Sequence, residues 1–163
     1  MTTDDEITAD FWQHLRADRT VKLGLEEDAI TTLRPMTAQL DSDADCGPIW
    51  FFASAATDLV QGLVGHNRAV FAFVSKGHGV FATVHGHLTR SSDRTTIARL
   101  WNPWVAAWYK GGQEDPDLAL LRFDPARAEI WRDGSTFLAG LSLLFGAGPK
   151  DGYKDNMAKV SLT

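Results

Sequence analysis

The sequence predicts a mainly β (α+β) fold, an antiparallel sheet or small barrel with peripheral helices. Three observations carry this. Six or seven segments have the alternation or the apolar density of strands. Helical segments are inserted among them without the regular strand–helix alternation that a doubly wound parallel sheet requires. The length, 163 residues, suits one domain, because two separate cores would each be marginal.

The elements follow in order. Thr8 is expected to cap a first helix whose Phe11, Trp12 and Leu15 share one face. Residues 20–25 alternate weakly, and residues 30–39 read as a longer strand interrupted by Pro35. Proline has no N–H for the ladder, so that strand belongs at an edge or a bulge. Residues 41–47 are a string of turn formers and residues 48–53 are apolar and aromatic, which together signal a hairpin. Residues 54–65 have helical spacing, with Leu59 and Leu63 four apart, Val60 and Val64 four apart, and Thr57 as the cap. Residues 68–75 and 80–90 read as strands joined by a turn at 76–79. Ser92 is expected to cap a helix carrying Ile97, Leu100 and Trp101, which Pro103 stops or kinks. Trp104 and Trp108 fall one turn apart on a further helical piece. Residues 118–123 and 128–131 read as a last strand pair around Asp124 and Pro125. Ser135 would cap a final helix with Phe137, Leu138, Leu141, Leu144 and Phe145 on one stripe, before a glycine-rich linker at 146–152. The expected organisation is one domain over 1–150 and a C-terminal tail over 151–163 that can reach a neighbouring subunit.

Composition narrows the function. The net charge is −5 and the pI about 5.4, which argues against non-specific binding to nucleic acid or to an anionic membrane. No apolar run approaches the roughly 20 residues of a membrane-spanning helix. Residues 1–6 are acidic and lack the apolar core of a signal peptide. Cys46 is the one cysteine, excluding an internal disulfide framework and a multi-cysteine zinc site. The expectation is a cytoplasmic protein without nucleic-acid or membrane partners. Six tryptophans against two tyrosines supply large flat surfaces, suited to ring-stacking pockets, interfaces or an aromatic core.

Several motifs come close to known chemistry and fall short. Gly77-His78-Gly79-Val80-Phe81-Ala82 has the spacing of a dinucleotide fingerprint, but a β pattern follows it, so it reads as a hairpin turn. His85 and His87 share a strand face and would need His78 or a carboxylate to hold a metal; no metal site is expected. There is no nucleophile elbow, and Cys46 sits among carboxylates that disfavour its thiolate. The catalytic residue is unassigned, with His85 and His87 the only neutral-pH proton carriers worth testing. Arg34 stands in mid-strand and needs an anionic partner, either an Asp or Glu of the chain or a ligand phosphate. The apolar strand ending at Ala53 runs into a helix start near Thr57, which with Arg34 would make a phosphate cradle.

The run Leu33-Arg34-Pro35-Met36-Thr37-Ala38-Gln39, the acidic loop, Gly47-Pro48-Ile49-Trp50-Phe51-Phe52-Ala53-Ser54 and Thr57-Asp58-Leu59-Val60 follow one another in a recognisable order. So do Leu100-Trp101-Asn102-Pro103-Trp104, Ala107-Trp108-Tyr109, Gly111-Gly112, the run from Asp115 to Asp124, and Ala128-Glu129-Ile130-Trp131. This succession, over about residues 7–145, resembles the pyridoxamine 5′-phosphate oxidase-like FMN-binding split barrels, in their general stress protein 26 subgroup. The resemblance implies a six-stranded split barrel that forms a homodimer with FMN in clefts between the subunits. It assigns Arg34 to the FMN phosphate, Pro35, Met36 and Thr37 to the strand flanking the flavin, and Trp50, Phe51, Phe52, Ala53 and Ser54 to the strand that meets it. Thr57 would give a hydroxyl to the phosphate, Trp104 would wall the ring or pack the dimer, and Trp131 would approach the flavin of the partner chain.

Two departures bear on activity. The family's oxidases carry an Arg-Lys pair where this chain has Asp58 and Leu59, so Lys76, Arg68 or another cation would have to substitute. They also carry an Arg-Leu-His-Asp-Arg motif beyond the last tryptophan, where this chain has Arg132-Asp133-Gly134-Ser135-Thr136-Phe137. The resemblance therefore implies a stress-related flavoprotein, an FMN-dependent oxidoreductase of unknown substrate and not a true pyridoxamine phosphate oxidase. A non-catalytic flavin-sequestering protein and a relative that has lost its cofactor are the alternatives.

Overall fold

The structure, a computed structural model, describes residues 3–27, 31–65, 67–133 and 156–163. Helix α1 (Asp4–Ala17) starts earlier than the sequence suggested. Its cap is Thr3, whose hydroxyl accepts from the Glu6 N–H while the Glu6 carboxylate accepts from the Thr3 N–H, a reciprocal capping box. Thr8 lies inside the helix and donates to the Asp4 carbonyl.

Seven antiparallel strands follow among the described residues, one more than the family resemblance implied. They are β1 (Thr20–Leu25), β2 (Arg34–Thr37), β3 (Ile49–Ser54), β4 (Asn67–Val74), β5 (Val80–Ser91), β6 (Leu118–Arg132) and β7 (Met157–Ser161). The order across the sheet is β2-β1-β4-β5-β6-β3, with β7 paired to β6. Just past β2, Gln39 exchanges two backbone hydrogen bonds with Trp50 of β3, at 2.7 and 2.9 Å. That single bridge joins the two ends of the path and closes the sheet into a split barrel. Pro35 does lie in the end strand, where a missing donor costs least.

The β1–β2 register sets Leu23 opposite Arg34 and Val21 opposite Met36, so both β2 residues share the face of buried side chains. Gly24 makes this hairpin possible in its observed form. A Cβ there would stand 2.2 Å from the Thr32 carbonyl, so only glycine lets the segment leading into β2 press onto β1.

Residues 118–132 were expected as two strands around Asp124 and Pro125; they form one 15-residue strand. The proline marks an irregularity and not a turn: the register against β5 shifts between His85 and Gly86. Gly86 is needed there, since a Cβ would lie 2.2 Å from the Asp124 carbonyl. β6 pairs with β3 over its first half and with β7 over its second, which no local pattern reveals. The end of the expected tail is thus a strand of this chain's own sheet. The expected helix from Ser135 and the linker at 146–152 lie outside the described residues.

The turn between β4 and β5 is a hairpin, with His78 at φ 60°, as the β pattern after Gly79 required. The helix expected over 54–65 is a single turn, α2 (Asp58–Gln61), capped by Thr57 as anticipated. Asp93, not Ser92, caps α3 (Arg94–Leu100), and Pro103 both follows that helix and opens α4 (Pro103–Ala106) under an Asn102 cap.

The barrel interior is filled by Leu23, Phe51, Phe71, Phe73, Leu88 and Phe123, all at most 1% exposed. Helix α1 packs against β5, β6 and β7 at one end, and α2 lies at the other beside Leu25. A second cluster of Trp50, Ile97, Leu100, Val105, Tyr109 and Leu120 lies between the outer face of β3 and β6 and the two helices α3 and α4. Among the described residues no helix is long and apolar enough to cross a membrane.

Candidate functional site

The segment after β1, the start of β2 and the start of α2 frame a cleft of about 470 Å³. It is lined by Leu25, Glu27, Thr32, Arg34, Asp58 and Leu59. Leu59 is a core residue of α2 and Leu25 packs against the core, so the floor is apolar and anchored. Among the described residues the rim is charged, with one guanidinium and two carboxylates. Arg34 is half-buried, and among the described residues it makes no hydrogen bond or ion pair, with Glu27 and Asp58 or with any other group. The intramolecular carboxylate that would have silenced it is not bound to it.

The other residues singled out from the sequence do not gather here. Met36 faces inward and packs on the core, while Pro35 and Thr37 face out and are exposed. β3 splits its residues by parity: Phe51 and Ala53 lie in the barrel interior, Trp50 and Phe52 in the outer cluster. Phe51 is 0% exposed, so only its backbone could meet a ligand. Arg122 stands over the Trp50 ring at 5.6 Å, and the Trp50 indole N–H is buried with no hydrogen-bond partner among the described residues. The Ser54 hydroxyl donates to Asp117 at 2.6 Å. The Thr57 hydroxyl donates to the Ser54 carbonyl at 2.9 Å and accepts from the Val60 N–H, so its one hydrogen is engaged. Trp104 is 81% exposed on α4. Trp131 lies on the far half of β6, opposite Phe81 and Met157, with its indole N–H donating to Glu129 at 3.1 Å.

Of the proposed substitutes for the missing cation pair, Lys76 and Arg68 do not line the cleft. Lys76 follows β4 at the α1 end, its N–H donating to Asp18. His85 and His87 share the outer face of β5, and His85 is bonded through Nδ1 to Glu26. Among the described residues no group of three potential ligands converges as a metal site. Near α2, the Asp115 carboxyl is held below its ordinary pKa by the N–H groups of Asp117 and Gly111. The Tyr109 phenol is pushed up to about 12, first by burial and then by Asp117 and Asp115.

Glu27 and Thr32 were missed from the sequence. The signal was available only through register: once Leu23 faces Arg34, the chain on either side must converge, placing the segments around 25–27 and 32 together.

A family model described as pyridoxamine 5′-phosphate oxidase like matches residues 6–149. The chain belongs to that family. A general stress family protein of Xanthomonas campestris pv. campestris is 48% identical, with 83% of this chain and 93% of that one covered and a TM-score of 0.77. A protein of Xanthomonas citri described as a general stress FMN/FAD binding protein is also 48% identical, over 81% and 92% of the two chains, at a TM-score of 0.75. The general stress protein 26 of Jannaschia sp. CCS1 is 35% identical over 98% of this chain and 99% of its own, at 0.80. Among curated protein sequences nothing matches this chain. The barrel is the split-barrel fold of the pyridoxamine phosphate oxidase-like family.

FMN, the cofactor the family resemblance implies, can be set against these residues. The volume falls in the roughly 300–1,000 Å³ range of small-molecule sites, and an unbound guanidinium awaits an acceptor. The charge fits less well: among the described residues the lining holds two carboxylates and one cation, and a phosphate dianion needs cations.

Proposed function

We propose that this chain is a flavin-binding stress protein that holds its flavin, FMN or a form of it with the same ring, in a cleft completed by a second copy of itself. On this reading it is a cytoplasmic, flavin-dependent oxidoreductase whose substrate is not pyridoxamine phosphate. The observation that carries the reading is Arg34, a half-buried guanidinium in a cleft with no protein partner among the described residues. Such a group is costly to keep unless a ligand accepts its N–H bonds. Family membership supports a flavin as that ligand, as does the description of the Xanthomonas citri relative as FMN/FAD binding.

The dispersal of the candidate residues supports a homodimer. Arg34 and Trp131 stand at opposite ends of one barrel, so one copy cannot bring both to the same ring. Two copies related by a two-fold axis can. Val74 and Phe81 are paired neighbours on β4 and β5, 47% and 41% exposed, and Phe81 is opposite Trp131, which offers an apolar face for that contact. The acidic composition with one cysteine supports the cytoplasmic setting.

A bound flavin supplies hydride or electron exchange through its ring. The chain's part is to bind and orient: Arg34 donates to the polar tail while Leu25 and Leu59 exclude water from the floor. Arg132, at the start of the stretch that departs from the oxidases' motif, is paired with Asp10 at 2.7 Å, which argues against vitamin-phosphate binding there.

Arg34→Ala is expected to weaken FMN binding by about 1.5–3 kcal/mol, the range for charged hydrogen bonds. Fluorescence titration checks it, and an unchanged affinity removes Arg34 from the site. One observation favours a second reading, flavin sequestration without turnover. Neither His85 nor His87 lines the cleft, and His85 is engaged by Glu26. Multiple-turnover reduction of the holo-protein by NADH or NADPH, with reoxidation by an acceptor, separates the enzyme from the sequestering protein.

A further inference from the structure

Among the described residues the Arg34 cleft is lined by one cation and two carboxylates, and none of the three is paired with another. In a site built for a phosphomonoester dianion, cations outnumber acids and carboxylates are kept away. Here Asp58 opens α2 and lines the same cleft as Arg34, and Glu27 lines it from the segment after β1. Among the described residues neither carboxylate makes an ion pair or accepts a hydrogen bond, so the acceptor oxygens of both are available to a ligand.

We infer that this cleft selects a polyhydroxylated flavin tail of low charge, the ribityl chain of riboflavin, over the phosphate dianion of FMN, and that Asp58 sets the preference. The inference rests on the flavin-binding reading and specifies which form of the ligand the site accepts. The chemistry of the three groups is complementary to a sugar-alcohol chain. Carboxylates only accept hydrogen bonds, guanidinium only donates them, and a hydroxyl does both. A chain of hydroxyls can therefore satisfy Glu27, Asp58, the Thr32 hydroxyl and Arg34 together. A phosphate dianion satisfies Arg34 alone and faces two like charges. The apolar floor of Leu25 and Leu59 lowers the local polarity, which strengthens repulsion as much as attraction.

α2 does not restore the balance. It has four residues, and its cap hydroxyl is already committed to Ser54 and Val60. Among the described residues Lys76 and Arg68, the cations expected to substitute, are not part of the cleft's lining.

The test titrates full-length wild-type protein with riboflavin and with FMN separately, by flavin fluorescence, at low and at raised ionic strength, and repeats both with Asp58→Asn. Wild type is expected to bind FMN no more tightly than riboflavin. Added salt should narrow the difference by screening the carboxylates. Asp58→Asn should tighten FMN by about tenfold, the scale of one charge removed at short range in a partly solvated site, and change riboflavin by about threefold or less. Salt dependence in wild type reads the same repulsion without any substitution, so a poorly folding variant does not decide the matter. Wild type binding FMN more than about tenfold tighter than riboflavin, or Asp58→Asn shifting both ligands equally, overturns the inference while leaving flavin binding intact. Binding of neither flavin to wild type overturns this inference and the flavin reading together.

Discussion

The two ends of the barrel are closed in different ways. At one end α1 inserts Ile7, Phe11, Trp12 and Leu15, all at most 1% exposed, and several polar groups around it are tied down, though the Trp12 indole N–H is buried with no partner among the described residues. Arg132 binds Asp10, Arg16 binds Asp45, and the Lys76 N–H binds Asp18. At the other end a four-residue helix contributes Leu59 and Val60, at 7% and 5%, and next to them Arg34, Glu27 and Asp58 are unpaired among the described residues. The first end is finished by the chain itself. The second has polar groups whose hydrogen-bonding capacity the described residues leave unused, which is what a binding site requires.

Truncation tests the contrast most strongly. Phe11→Ala should cost about 3–5 kcal/mol in urea unfolding, and Leu59→Ala about 2 kcal/mol, since less surface is buried around it. Equal costs would mean that α2 seals its end as firmly as α1 does. A smaller effect is expected at high pH, from the cluster beside α2. The Tyr109 phenol is raised from its ordinary 10.0 to about 12 in the fold, so the folded chain keeps its proton where the unfolded chain loses it. Its contribution is complete below pH 10, declines above it and is gone past 12, a loss of about 1–2 kcal/mol. Tyr109→Phe should flatten that part of the stability–pH curve; an unaltered curve would place the loss elsewhere. The smallest effect is Arg34→Ala on the ligand-free protein, expected within about 0.5 kcal/mol because no protein group depends on it. A loss above about 1 kcal/mol in thermal or urea unfolding would show that Arg34 has a structural partner, and the open end would lose its distinction.

Much of this plan was legible in the residue order. The 20–25 strand, the Thr57 cap, the edge position of Pro35 and the break at Pro103 follow from side-chain alternation and from what proline and threonine do to a backbone. Caps were misplaced at Thr8 and Ser92 because several side chains there could cap, and the choice depends on which leaves fewer N–H groups unpaired. Asp124 and Pro125 resembled a turn because local chemistry cannot distinguish a turn from a bulge inside a paired strand. Arg34 stood out as a lone cation in a strand, but the carboxylates around it did not, since they are brought in by register and by α2.

By itself the sequence determined the antiparallel class, the succession of elements and the one residue whose charge asks for a partner. Those depend on local periodicity, backbone preference and the cost of burying charge. Only the tertiary structure decided that β6 is continuous, that β7 completes it, that β3 divides its aromatic residues between two cores, and that Arg34, Glu27 and Asp58 line one cleft, unpaired among the described residues. Those depend on which distant segments share hydrogen bonds, and closing a barrel settles that pairing all at once.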